Sequence, residues 1–242
     1  VLALDGRPGA ALGFHVGRAT VRESLLGLAL GTAVALAAVL LMALAGGLRW
    51  SADEGTLPAW LAGCVGALGF LAVPAAAEEA LLRGYPLQAL AEAWGPWWAL
   101  GLTAVVFGWL HLQNPGVTAI GAVNVAAAGV FLGVVYLRTA SLWWATGAHL
   151  GWNWAHGYLA DVPVSGLELL DAPLYEGLPQ GPAWLGGGSF GPEGSVAATA
   201  IVLGATVLCW RAGWLAPSPA ARSARPLALA LAGPFAGGGR AP

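Results

Sequence analysis

Three ionisable residues stand at the end of a long apolar block, in the run Glu78-Glu79-Ala80-Leu81-Leu82-Arg83. Glu79 and Arg83 are four apart with the acid N-terminal, the favourable order for an ion pair on one helix face. Glu78 points about 100° away from Glu79 on a helix of 3.6 residues per turn. The arginine can therefore neutralise one carboxylate and leave the other to face a cavity. Two imidazoles follow, each in an apolar setting. His111 comes four residues after Phe107 and shares its helical face, and His149 comes four residues before Asn153, which aims an imidazole and an amide at one point. Each feature alone has a plain explanation: charges at a helix end snorkel, and buried His or Asn hydrogen-bonds between helices. Asn124 and His156 are read in that plain way, as helix glue or interface groups. Together, an unpaired carboxylate, two imidazoles and an amide supply what hydrolysis requires. A carboxylate or imidazole takes a proton from water, and N–H donors stabilise the oxyanion that develops.

The elements that must carry these groups are membrane helices. Of 242 residues, 58% are hydrophobic and only 9% charged, with mean hydropathy +0.72. Soluble domains hold roughly 25% charged residues, so this chain cannot cover a water-facing surface. Apolar blocks near the ~20 residues a membrane helix needs run over Leu25–Gly47, Pro58–Ala77, Trp97–Leu112, Gly116–Leu137, Ser141–Leu159 and Ser195–Trp214. The fold class expected is an all-α polytopic bundle of about six helices. Turn chemistry at Gly84-Tyr85-Pro86, Gly95-Pro96 and Asn114-Pro115-Gly116 is expected to separate them. An ionisable group inside such a helix costs ~2.5–3.5 kcal/mol even on the lenient insertion scale, so each must be paired or useful.

The chain divides into an N-terminal segment (1–22), a transmembrane domain (23–214) and a Pro/Ala/Arg-rich tail (215–242) expected to be disordered. The one long loop, Ala160–Gly194, carries five acids and no arginine. Arg7, Arg18, Arg22, Arg83, Arg138, Arg211, Arg222, Arg225 and Arg240 fall on one side of a six-helix topology, and only Arg49 on the other. The positive-inside rule then places both termini in the cytoplasm. Trp50, Trp94, Trp97 and Trp214 lie near helix ends, as aromatic belts do. Cys64 and Cys209 sit in apolar blocks and read as buried free thiols. No basic cluster suggests nucleic acid. The absence of lysine beside abundant Ala, Gly and Arg is a composition bias that points to a prokaryotic plasma membrane.

At its polar positions the sequence resembles the CPBP intramembrane proteases, the CAAX protease and bacteriocin-processing group also called Abi. That family's pattern is E-E-x-x-x-R, then F-x-x-x-H, then H-x-x-x-N, each on a membrane helix. Here the pattern stands as Glu78-Glu79 with Arg83, Phe107 with His111, and His149 with Asn153. Flanking text is similar as well: Arg83-Gly84, His111-Leu112-Gln113-Asn114-Pro115-Gly116, and Thr139-Ala140-Ser141-Leu142-Trp143. The resemblance implies an endopeptidase acting on peptide or protein substrates in the bilayer. It makes Glu78 the general base, His111 a holder of water, His149 and Asn153 the oxyanion donors, and Glu79, Arg83 and Phe107 supporting residues. Glu78, His111 and His149 could also ligate Zn²⁺, but the H-E-x-x-H signature is absent, and a metal-free glutamate mechanism is favoured. The rival readings are a catalytically idle membrane binding or immunity protein on the same scaffold, and a proton-coupled transporter. The latter is disfavoured because no internal repeat is evident.

One expectation conflicts with the rest. If helix two ends at Gly84-Tyr85-Pro86, Glu78 lies near one membrane face. His111, fourteen residues into helix three, would then lie about 21 Å deeper at 1.5 Å per residue.

Overall fold

The computed structural model describes residues 9–224; Arg7, Arg225, Arg240 and most of the tail lie outside them. The architecture is a helical bundle with one small two-stranded antiparallel ribbon among the described residues. Its elements are α1 (Arg18–Leu44), β1 (Leu48–Ala52), α2 (Leu57–Glu79), α3 (Pro86–Trp94), α4 (Pro96–Leu110), α5 (Ala119–Thr139), α6 (Leu142–Trp154), β2 (Tyr175–Pro179), α7 (Ala183–Gly186), α8 (Val196–Arg211) and α9 (Pro219–Ser223). Helices occupy all six expected apolar blocks. Three segments are long and apolar enough to cross a membrane: Arg18–Leu44, Leu57–Trp94 and Ala119–Thr139, with Pro96–Leu110 and Val196–Arg211 shorter. Side-chain caps start several helices where the sequence offers them. Thr118 accepts from Gly121 N–H at 3.0 Å and Ser195 from Ala198 N–H at 3.2 Å, each satisfying a backbone donor left over at a helix start.

The ends of the elements fall into two groups. At one end, Trp97 stacks on Trp210, Arg138 donates to Ala212 O, Tyr136 Oη donates to Leu12 O, and Gln88 donates to Ala11 O. At the other end, β1 pairs antiparallel with β2 from Leu48↔Pro179 to Ala52↔Tyr175, and Asn114 donates to Ser165 O. The Ala160–Gly194 segment is thus structured, with β2, α7 and short 3₁₀ turns. The ribbon is an addition to the expected all-helical fold, and its partners lie too far apart in sequence for a hairpin signal.

Three boundaries depart from the sequence reading. Helix α1 begins at Arg18, inside the segment assigned to the N-terminal region, and carries Arg18, Arg22 and Glu23 in its first turns. Leu215 is buried, as is Ala221 within α9, so the described part of the tail is packed. Most consequentially, Gly84-Tyr85-Pro86 does not end a helix. A π turn over Ala80–Gly84 joins α2 to α3, and Tyr85 keeps helical dihedrals at φ −99°, ψ −48°. Pro86 is tolerated because it opens α3, where its missing N–H has no helical acceptor. The reversal comes instead at Gly95, whose φ of +88° favours glycine, and Pro96 starts α4.

That shift removes the conflict in depth. Glu78 lies seventeen residues before Gly95 and His111 sixteen after it, so an antiparallel hairpin about Gly95 brings them level.

The helix bearing His149 and Asn153 is fixed by close approach to α1. A Cβ on Gly31 would stand 1.8 Å from Ala148 O, and one on Gly27 would stand 2.4 Å from Trp144 O. A Cβ on Gly147 would lie 2.4 Å from Ser24 O, and one on Gly151 would lie 2.3 Å from Leu28 O. Two small-xxx-small pairs face each other, which lets the backbones meet where no hydrophobic drive exists between helices in lipid.

Candidate active site

The two acids of α2 take different environments. Glu79 is fully buried: its Oε1 accepts from Arg83 Nη1 at 2.8 Å and from His149 Nδ1 at 2.9 Å. Arg83 is equally buried, and its Nη2 donates to Gly129 O at 3.0 Å. Its guanidinium sits 4.7 Å above the centre of the Phe107 ring, a cation–π contact. Phe107 also packs at 4.7 Å against the His111 ring and edge-on at 5.9 Å to the His149 ring. The residues read as supporting therefore form one buried brace behind both imidazoles.

Glu78, by contrast, keeps 39% of its side chain exposed, and its Oε2 lies 3.8 Å from His149 Nε2. That is beyond a direct hydrogen bond, and Glu78 Oε2 has no hydrogen-bond partner among the described residues. His149 thus stands between two carboxylates. Because Glu79 can only accept, His149 Nδ1 carries the proton there and Nε2 is the nitrogen left for the Glu78 side. His111 is set by a similar rule: its Nδ1 lies 2.8 Å from Phe107 O, a carbonyl that can only accept. Nε2 is then its second functional nitrogen.

Glu78, His111, His149 and Asn153 line one cavity of about 110 Å³. Leu71, Pro74, Val125, Phe131 and Leu132 wall it, and Val164, Leu167 and Leu169 roof it from the Ala160–Gly194 segment. A second cavity shares Glu78, His111, Asn114 and Leu167 and runs out between the π turn and α4, past Leu81, Leu82 and Leu110. All four residues read as catalytic line this one cavity. Among the described residues no three His, Cys, Asp or Glu side chains meet as a group able to hold an ion.

The residues read as glue divide. Asn124 donates to Glu193 O and Ser195 O, both at 2.8 Å, and accepts from Thr199 Oγ1, tying α5 to α8. His156 is fully buried beside the Ala35 backbone and meets Trp152 edge-on at 4.5 Å. Cys209 is buried and Cys64 only partly so, both free. Asn114, Trp152, Ser165 and Glu193 also line the cavity and were not singled out in sequence. Asn114 reads only as part of a turn and of the text flanking a motif, and Glu193 is an acid directly ahead of an apolar block.

Residues 58–155 match the family model described as type II CAAX prenyl endopeptidase Rce1-like. Neither a curated protein nor a solved structure matches the chain. The matched span opens at the start of α2 and closes just after α6, so it contains Glu78, His111, His149 and Asn153 and leaves out α1, the roof and α8. Over residues 58–155 the chain is thus similar to the Rce1-like CAAX endopeptidases, in agreement with the CPBP resemblance of its three motifs.

Proposed function

We propose that this integral membrane protein hydrolyses peptide bonds of membrane-associated peptides or proteins with water activated by Glu78. The observation that carries the reading is the split between two adjacent acids: Glu79 is consumed by Arg83 and His149, while Glu78 faces the cavity with an oxygen free to accept a proton. Glu78 takes a proton from water, His111 Nε2 accepts the second O–H, and the water oxygen adds to the scissile carbonyl carbon. The oxyanion is met by the Asn153 amide and by His149 Nε2 when that nitrogen also carries a proton. Glu78 then returns its proton to the nitrogen as the C–N bond breaks. Glu79 orients His149 and Arg83 balances the charge of Glu79, roles suited to preorganised donors in a water-poor site. The lateral opening past Leu81 and Leu110, both exposed, suits a substrate that arrives from the bilayer.

The orientation belongs to the same proposal: the arginine-rich ends are cytoplasmic and the roof lies on the opposite side. A reporter fused after Ala172 should read as non-cytoplasmic, and a cytoplasmic reading would reverse the topology.

The decisive experiment is cleavage of a membrane-tethered peptide library by purified protein, with and without chelator. Glu78→Gln should lower turnover by ~10²–10⁴-fold, the usual worth of a general base, with thermal stability in detergent nearly unchanged. Chelator should leave the wild-type rate intact. Full activity in Glu78→Gln removes the glutamate mechanism, and loss of activity restored by added zinc replaces it with a metal-dependent one.

A further inference from the structure

The cavity has a second carboxylate, a buried one that the reaction does not use. Glu193 is 5% exposed and has three protein donors. Its Oε1 accepts from Trp152 Nε1 at 2.8 Å, and its Oε2 accepts from Ser165 N–H at 2.5 Å and Ser165 Oγ at 2.6 Å. Its own carbonyl accepts from Asn124. A carboxylate with this many short contacts is a strong, directional holding point, because charge-assisted hydrogen bonds are roughly twice as strong as neutral ones.

What it holds is the tip of the roof. Val164 and Leu167 exchange backbone hydrogen bonds at 3.0 and 2.9 Å, and the two residues between them have positive φ, Ser165 at +48° and Gly166 at +81°. This is the left-handed pair that a type I′ turn requires. Serine is a costly occupant of that region, and such residues persist when their surroundings fix them. Ser165 is fixed on two sides, by Glu193 and by Asn114, whose Nδ2 donates to Ser165 O at 2.9 Å. Gly166 is pressed so close to the 111–118 segment that a Cβ would lie 1.9 Å from Pro115 O. The turn is therefore wedged between the residues following His111 and the carboxylate that grips Trp152, the neighbour of Asn153. Its flanks, Val164 and Leu167, and the nearby Leu169 supply the apolar surface facing Glu78 and His149.

We propose that Glu193 is a positioning residue that clamps the Ser165 turn to Trp152 and so sets the size of the apolar subsite above the reacting groups. The role rests on the endopeptidase reading, since a subsite matters only if a substrate side chain enters it. With the clamp intact the roof fixes how large a side chain beside the scissile bond can be. With the clamp weakened the roof rises and discrimination falls, while Glu78, His111 and His149 keep their own contacts.

The test compares wild type with Glu193→Gln on peptides that differ only in the size of the apolar side chain beside the scissile bond. Hydrogen exchange of residues 164–167 is followed in parallel. The amide keeps the shape of Glu193 but turns a donor toward at least one of the three protein donors. Glu193→Gln should speed exchange at the turn and lose about tenfold in discrimination between large and small side chains, the scale set by one or two methylenes in a pocket. The loss should appear in KM, with kcat changed less than about threefold. Glu193→Asp should lie between the two. If Glu193→Gln does not fold, Ser165→Ala and Trp152→Phe each remove one donor and should relax discrimination in the same direction. A uniform fall in kcat/KM for every peptide would make Glu193 merely structural and overturn the proposal, as would unchanged exchange at the turn. Should wild type cleave no peptide, the endopeptidase reading fails and the subsite role goes with it; exchange then reports only whether the clamp itself exists.

Discussion

Helix α6 shows opposite construction on its two sides. Toward α1 it presents Gly147 and Gly151, which meet Gly27 and Gly31 so closely that no side-chain atom fits between the backbones. Toward α2 and α4 it presents His149 and Asn153, which line an opening instead of a seam. The glycine side has one geometry, because moving either helix produces backbone overlap. The cavity side holds charges whose cost in a membrane is high and leaves a gap around them. The contrast teaches where the precision of the site comes from. His149 is held on one side by a rigid seam and on another by Glu79, which together fix the buried imidazole at the cavity wall.

Glycines of α2 and α4 make the same point from the other flank. A Cβ on Gly66, Gly69 or Gly101 would meet nothing within 4 Å. Those positions are small without being close to anything, whereas Gly31 and Gly151 are small because a backbone is already there.

The largest effect expected from breaking this arrangement is in the brace. Glu79→Gln leaves the buried Arg83 guanidinium without its acid and unties His149, and should cost about 3–5 kcal/mol of stability, as removal of one member of a buried pair does. Thermal unfolding in detergent reads the loss. Glu79→Gln combined with Arg83→Met should regain part of the stability without regaining cleavage. An unchanged melting temperature in Glu79→Gln would mean that the pair does not hold the site.

On the cavity side, Asn153→Ala should lower kcat by about 10²–10³-fold, the cost of one oxyanion donor, while the melting temperature stays near wild type. If stability falls as far as activity, Asn153 is helix glue and the contrast between the two sides of α6 is weaker than drawn.

The seam gives a smaller effect, in stability. Gly31→Ala puts a methyl group where Ala148 O stands, and should cost about 1–3 kcal/mol, the usual range for overpacking. The paired control, Gly101→Ala, should change stability by less than about 1 kcal/mol and in the stabilising direction, since alanine is the better helix former. Equal responses at Gly31 and Gly101, measured by detergent unfolding, would erase the distinction between seam and flank.

Much of the site was legible because its chemistry is local. The Glu79–Arg83 pair follows from spacing on one helix, and the structure places it at 2.8 Å. Phe107 with His111 and His149 with Asn153 are each one turn apart, so their helices present them together wherever those helices go. The six apolar blocks were readable for a related reason: a stretch that cannot face water declares itself by composition, without reference to any other part of the chain. The two GxxxG pairs, Gly27 with Gly31 and Gly147 with Gly151, were not read from the sequence; the structure shows which helices they join.

What only the tertiary structure decided are the relations between distant segments. Gly84-Tyr85-Pro86 and Gly95-Pro96 are both reasonable turns in sequence; the chain reverses only at the second, and that choice levels Glu78 with His111. The pairing of Leu48–Ala52 with Tyr175–Pro179 joins strands more than 120 residues apart. Glu193 reaches Ser165 and Trp152 across 28 and 41 residues. Residue type and periodicity fix what a helix carries and which face carries it. Depth, register and the company a carboxylate keeps depend on how separate elements pack, and packing leaves no periodic mark on the segments it joins.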